Sequence, residues 1–413
     1  MREGSLYIII YILMWIGIYY YNRKNRKFFD GTSLIIFFNI LYSICSLIIY
    51  NDVVISRDGF FLNAEFWPFV YLFVAQIIVM IPLLRNEHKI STIVQPSQVL
   101  LKWFAYIYVL LALIQIPFIY QDIRDGLYIL LTSENGGSYL YNNRIHTSNG
   151  VGYLFYYMFT DIAIFVFFYM SSIGIKERLL KYGIIIAVSL SLIRPISMGL
   201  RTETTLRLLS IVVSYFTLYR YIPNSLQRTL KRQGSIVLGC ILALLFILTA
   251  SRAQKGVGSY IMEYIGQGNL YFNSYGLDAG GIRNGDRTAW LFKRYLGYVM
   301  PKDLQETREK YSEMKLDDGH FSTYVGDFTL DYGGVWTLII FCVFSFLMFY
   351  ITQVRHGKIL FHQLLGLYFI MCICVQGGFY LFSYSYGGNY VIIAFIFMYF
   401  LFWIDSKLQL KTK

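Results

Sequence analysis

The stretch LYIIIYILMWIGIYYYNRKNRK, residues 6–27, decides the fold class. Leu6 to Tyr21 carries no charged side chain, and four cations then fall within five residues: Arg23, Lys24, Arg26 and Lys27. A bilayer core of roughly 30 Å needs a run of about this length to cross it as a helix. The run is not a cleaved leader, because it lacks a small-residue cleavage site and its basic tuft follows rather than precedes it. Such tufts stay in the cytoplasm, which predicts an N-terminus on the outside.

The rest of the chain repeats this pattern. Of 413 residues, 56% are hydrophobic, 19% aromatic and only 15% charged, against about 25% charged in soluble domains. Eleven apolar runs stand out: 5–21, 32–50, 66–84, 100–120, 151–173, 182–197, 203–220, 235–250, 333–352, 359–381 and 390–405. The expected fold is therefore all-α, a single polytopic membrane domain over residues 1–413 with about 11 transmembrane helices. With the N-terminus outside, the cytoplasmic segments carry 17 Lys and Arg, against six on the short outer segments. That bias also puts the C-terminus in the cytoplasm.

The net charge of +12 does not indicate a nucleic-acid partner, since the cations sit in tufts between apolar runs. The partner it implies is the lipid bilayer. The five cysteines all lie inside apolar runs, which argues against a disulfide framework. No His or Cys spacing suits a metal, and no cofactor is implied.

Two outer loops are long, 121–150 and 251–332. Long ordered loops usually carry function. The larger one has its own apolar punctuation. Tyr260 and Tyr264, and Tyr271 and Tyr275, recur at i, i+4 and would share one face of short interfacial helices. Most of the 38 tyrosines fit interfacial belts; Tyr260, Tyr264 and Tyr271 are the candidates for stacking on sugar rings.

Cations at the outer ends of spans are the first candidates for chemistry: Arg194 in LIRPISMG, Arg201 in MGLRTETT, and Arg252 with Lys255 in LTASRAQKG. Arginine at a bilayer core is costly and by default marks function. Snorkelling to the headgroups is the alternative. Converging guanidinium groups suit a phosphate or pyrophosphate. In DDGHFSTYVGDFTLDYGG, residues 317–334, His320 and the carboxylates Asp327 and Asp331 are candidate proton acceptors. Capping of the next helix is the competing role for the two aspartates.

Three stretches carry a family resemblance: GLRTETTLRLL (199–209), SRAQKG followed by SYIMEYIGQGNLYFNSYG (251–276), and FSTYVGDFTLDYGGVWTLII (321–340). Together with the layout of spans and one large extracytoplasmic loop, they resemble the Wzy-type polymerases of bacterial O-antigen and capsule repeat units. The last stretch departs from the family's form in its closer glycines, Gly333 and Gly334. The resemblance implies a bacterial cytoplasmic (inner) membrane enzyme. It would transfer glycosyl groups between undecaprenyl-pyrophosphate-linked oligosaccharides without metal or nucleotide sugar. Arg252, Arg201, Lys255 and Arg194 would bind the pyrophosphate. His320 would activate the acceptor hydroxyl, with Asp331, Asp327 and His146 as its alternates. A chain-length regulator and a flippase are the implied protein partners. Two other functions stay open, a flippase for the same lipid-linked oligosaccharide and an O-antigen ligase.

Overall fold

The computed structural model describes residues 2–24, 29–52, 63–132, 140, 150–175, 177–250, 256–301, 304–315 and 321–411. The described residues are all-α apart from one short parallel pairing of Thr92–Val94 (β1) with Lys358–Leu360 (β2). Nine of their helices are long and apolar enough to cross a membrane. The chain folds as two compact units. One comprises residues 1–94 and 258–399, the other 95–257 and 400–413.

The first unit contains α1 (Ser5–Lys24), α2 (Gly31–Asn51) and α3 (Phe66–Asn86). Its later elements are α9 (Val257–Tyr271), α10 (Trp290–Tyr295), α11 (Leu304–Lys310), α12 (Thr323–Ile351) and α13 (Phe361–Gly377). It also takes in most of α14 (Asn389–Lys411). α13 is buried on every side, with only Gln363 and Phe369 outside its buried set. An all-round apolar sequence suits such a position. α2 begins where carboxylates satisfy its open N–H groups. Asp30 accepts from Ser33 N at 2.9 Å, and Glu87 accepts from Gly31 N and Thr32 N at 3.0 and 2.8 Å.

The large loop is folded onto this unit. α9 runs on into a π-turn at Phe272–Gly276. Ser46 Oγ donates to Gly266 O at 2.7 Å, and Glu65 and Asn273 exchange two hydrogen bonds at 2.7 and 2.8 Å. α12 starts at Thr323, ten residues before the expected span boundary at 333, and breaks at Gly333 with φ 78° and ψ 164°. Glycine tolerates that conformation because it has no Cβ. The two halves of α12 can therefore diverge there.

The second unit contains α4 (Gln98–Thr132), α5 (Gly150–Ser172), α6 (Arg178–Ser197), α7 (Arg201–Leu218) and α8 (Asn224–Ala250). α4 continues to Thr132, past the expected boundary at 120. α6 and α7 form a tight hairpin. Gly199 takes φ +71°, and Leu200 N donates back to Pro195 O at 2.7 Å. α4 approaches α6 so closely at Gly126 that an added Cβ would lie 1.9 Å from Ser197 O. The apolar side chains of α8, among them Leu242, Phe246 and Ile247, are largely exposed, as expected of a helix facing lipid.

Candidate functional site

In the second unit, the buried polar groups form one strip along α4, α5, α6 and α7. Arg194, near the end of α6, is 3% exposed. Its Nε donates to Asp122 Oδ2 at 2.8 Å, and its guanidinium lies 3.9 Å from the centre of the Tyr153 ring. The snorkelling alternative thus fails for Arg194, whose charge is neutralised inside the protein. One helical turn along α5, Tyr157 receives the guanidinium of Arg207 at 4.5 Å. Arg207 Nη1 donates to Asp161 Oδ1 at 2.5 Å, and Ser210 Oγ donates to the same oxygen at 2.9 Å. Tyr153 and Tyr157 link the two pairs, their ring centres 6.1 Å apart. Charges this deep in apolar helices survive only when paired. Here both pairs also stack on rings, which adds cation–π attraction.

Arg201 opens α7. Its Nη1 lies 3.4 Å from Thr249 Oγ1, near the end of α8. Arg252 and Lys255 follow that end directly in the sequence but lie outside the described residues. Of the four expected pyrophosphate ligands, Arg194 and Arg201 are therefore located, both in the second unit.

In the first unit, Asp327 and Asp331 lie one turn apart on the first half of α12, both fully buried. Neither caps that helix. Asp331 Oδ2 accepts from Thr288 N and Thr288 Oγ1, each at 2.7 Å, and Asp327 Oδ2 accepts from Phe382 N at 2.7 Å. Arg283 joins them. Its Nε is 2.8 Å from Asp331 Oδ1, and its Nη2 donates to Asp327 O at 3.1 Å. A second arginine, Arg287, approaches Asp327 Oδ1 at 3.1 Å through Nε. Burial disfavours the Arg287 charge, but Asp327 and the neighbouring Tyr386 and Tyr380 more than offset this and hold its pKa above the ordinary value.

Asp286, between the two arginines in sequence, accepts from Lys293 Nζ, Lys310 Nζ and Tyr311 OH, the last at 2.5 Å. Burial would raise its pKa, yet these donors outweigh burial and leave the carboxyl below its usual range. Asp327 and Asp331, the alternates for the proton-accepting role, are both engaged here in ion pairs and hydrogen bonds. His320, the first choice for that role, lies outside the described residues, as does His146.

The tyrosines divide. Tyr264 packs edge-on against Phe321, centres 5.0 Å apart, and Tyr271 is buried with its ring 5.6 Å from Tyr275. Tyr271 is thus a packing residue in this structure. Tyr260 is half-buried on the same helix. Among the described residues, no group of His, Cys, Asp and Glu could hold a metal.

Sequence reasoning missed Asp161, Arg207, Arg283 and Arg287. Asp161 did carry a signal, as the lone carboxylate in an otherwise apolar run. Arg207 stood inside the quoted GLRTETTLRLL. The two loop arginines carried none, because their partners lie 40 or more residues away. No family model, curated protein or solved structure matches the chain.

Proposed function

We propose that the protein is a polysaccharide polymerase, a glycosyltransferase joining undecaprenyl-pyrophosphate-linked repeat units into O-antigen or capsular polysaccharide. The observation that carries this reading is the 3.4 Å approach of Arg201 Nη1 to Thr249 Oγ1. It brings one expected pyrophosphate ligand to the helix end from which Arg252 follows three residues on. A cation such as Arg201 there would stabilise the negative charge that develops as the lipid pyrophosphate departs. In the same unit, the Arg194–Asp122 and Arg207–Asp161 pairs tie α6 to α4 and α7 to α5.

In this reading eleven helices cross the bacterial cytoplasmic membrane. They are the nine apolar ones, together with α7, whose Arg201, Glu203 and Arg207 lower its hydropathy, and the 17-residue α13. The N-terminus lies outside and the C-terminus in the cytoplasm. A cysteine at Glu306 would then be labelled from outside intact cells and one at Lys231 would not. The reverse pattern contradicts the orientation.

Gene deletion with surface polysaccharide run on a gel tests the activity. Loss of a polymerase leaves single repeat units on the surface. A core stripped of all repeat units points to a ligase instead, and blocked export to a flippase.

A further inference from the structure

Arg287, half-buried, differs from the buried arginines. Arg194, Arg207 and Arg283 each donate a hydrogen bond to a carboxylate or carbonyl oxygen. Arg287 donates none from its side chain to a described residue. Its Nε is buried and close to Asp327 but not aligned for a hydrogen bond, and the side chain as a whole is 15% exposed. Guanidinium has five N–H donors; here only the Nε–H is enclosed, and the four on the two Nη atoms reach solvent. What holds this one is charge on the Nε side and the Tyr386 ring, 5.4 Å away. The terminal Nη edge is left for something else.

The surroundings are built rather than incidental. Tyr386 N donates to Arg287 O at 3.1 Å, while Tyr386 itself takes φ +49°, a conformation that non-glycine residues seldom adopt. Positive φ also occurs at Asn284 (+53°), next to Arg283 in sequence, and at Thr323 (+65°), four residues before Asp327. Strain of this kind persists only where neighbouring structure enforces it, and it concentrates at ligand sites. Tyr386 packs edge-on against Trp290, giving the guanidinium a partly open aromatic wall. The local charge also suits an anion. Four cations, Arg283, Arg287, Lys293 and Lys310, face three carboxylates, Asp286, Asp327 and Asp331. Each carboxylate is paired with at least one of these cations, which leaves a local excess of one positive charge.

We infer that Arg287 is the ligand-binding residue of an oxyanion site in the first unit, its Nη edge gripping a phosphate or carboxylate in bidentate fashion. Asp327 orients the guanidinium from behind, and Tyr386 fixes its plane. The site is separate in sequence from the cations assigned to pyrophosphate, and it does not rest on the polymerase reading, because it concerns binding and not turnover. A phosphate would come from a lipid-linked or sugar-linked phosphate ester, a carboxylate from an acidic sugar.

The test is chemical protection of the purified full chain in detergent. Phenylglyoxal attacks guanidinium groups through the Nη atoms, and mass spectrometry reads each arginine separately. Without ligand, Arg287 should be modified and Arg283 spared. Glucose 1-phosphate and glucuronate form the two arms, with glucose as the neutral control. An anion at about ten times its Kd should slow modification of Arg287 about tenfold, since the free site falls as 1 + [L]/Kd. Protection by glucose 1-phosphate alone, by glucuronate alone or by both supports the site and identifies its oxyanion. An unreactive Arg287, protection by neither anion, or equal protection by glucose overturns the inference.

Discussion

Replacing Asp161 by Asn should destabilise the second unit by roughly 3–5 kcal/mol, the usual cost of removing one partner from a buried ion pair. The geometry supports the upper part of that range. Asp161 and Arg207 have side chains 1% and 7% exposed, and a single carboxylate oxygen, Oδ1, accepts from both Arg207 and Ser210. Asparagine can still accept a hydrogen bond there, but it leaves the Arg207 charge uncompensated among apolar helices. The Tyr157 ring at 4.5 Å remains, and cation–π attraction of about 0.5–2 kcal/mol cannot make up the difference. Removing both charges with Asp161→Leu and Arg207→Met should recover most of the loss, because an apolar pair of similar volume avoids desolvation altogether. Denaturant unfolding of the purified chain in micelles measures the four corners of this double-mutant cycle. Polymer made in cells is the second readout. A double variant that regains stability without regaining polymer assigns the pair to function; one that regains both assigns it to the scaffold. An Asp161→Asn protein within about 0.5 kcal/mol of the parent, the range of ordinary surface changes, would refute the buried ion pair itself.

Two further outcomes are expected. Gly126→Ala should destabilise the α4–α6 contact by about 1–3 kcal/mol, as overpacking does: its Cβ would meet Ser197 O at 1.9 Å, and moving α4 away would stretch the 2.8 Å Asp122–Arg194 pair one turn along the helix. An unchanged thermal midpoint would contradict that close approach. Acid should loosen the segment held by Asp286. Its folded pKa lies below the ordinary carboxyl value, so its stabilisation is complete above the unfolded value of about 3.9 and is lost as pH falls through the folded one. Limited proteolysis around Tyr311 with an acid-active protease should therefore increase only below about pH 4. Asp286→Asn should show the loosened pattern already at neutral pH, and equal cleavage of the two proteins at pH 6 would contradict the linkage.

All eleven apolar runs read from the sequence are helical, because an uninterrupted apolar run near 20 residues has few other ways to satisfy its backbone in lipid. Three helices overrun the expected boundaries by about ten residues: α8 starts at Asn224 rather than 235, and the other two boundaries were misread for one shared reason. The stretch 121–132 looked like loop because Asp122, Arg124 and Asp125 follow one another closely. Helix α4 nevertheless continues through it, and Asp122 is compensated by Arg194, 72 residues away in sequence. Residues 323–332 looked like loop because Asp327 and Asp331 interrupt them. They form the first half of α12, with both carboxylates compensated by Arg283 from 44 and 48 residues away. Charge compensation between distant segments leaves no local periodicity, so a single sequence does not reveal it. Glycine did mark the remaining break, since Gly333 stands where the apolar run was expected to begin and where the helix turns aside. Both of these boundaries, unlike that of α8, therefore fell on a buried ion pair. In so apolar a chain, a carboxylate that shortens an expected span is better read as a sign that a distant arginine packs against that helix. Arg194 and Arg283 both meet that description, and Arg287 is held against the same Asp327 as Arg283.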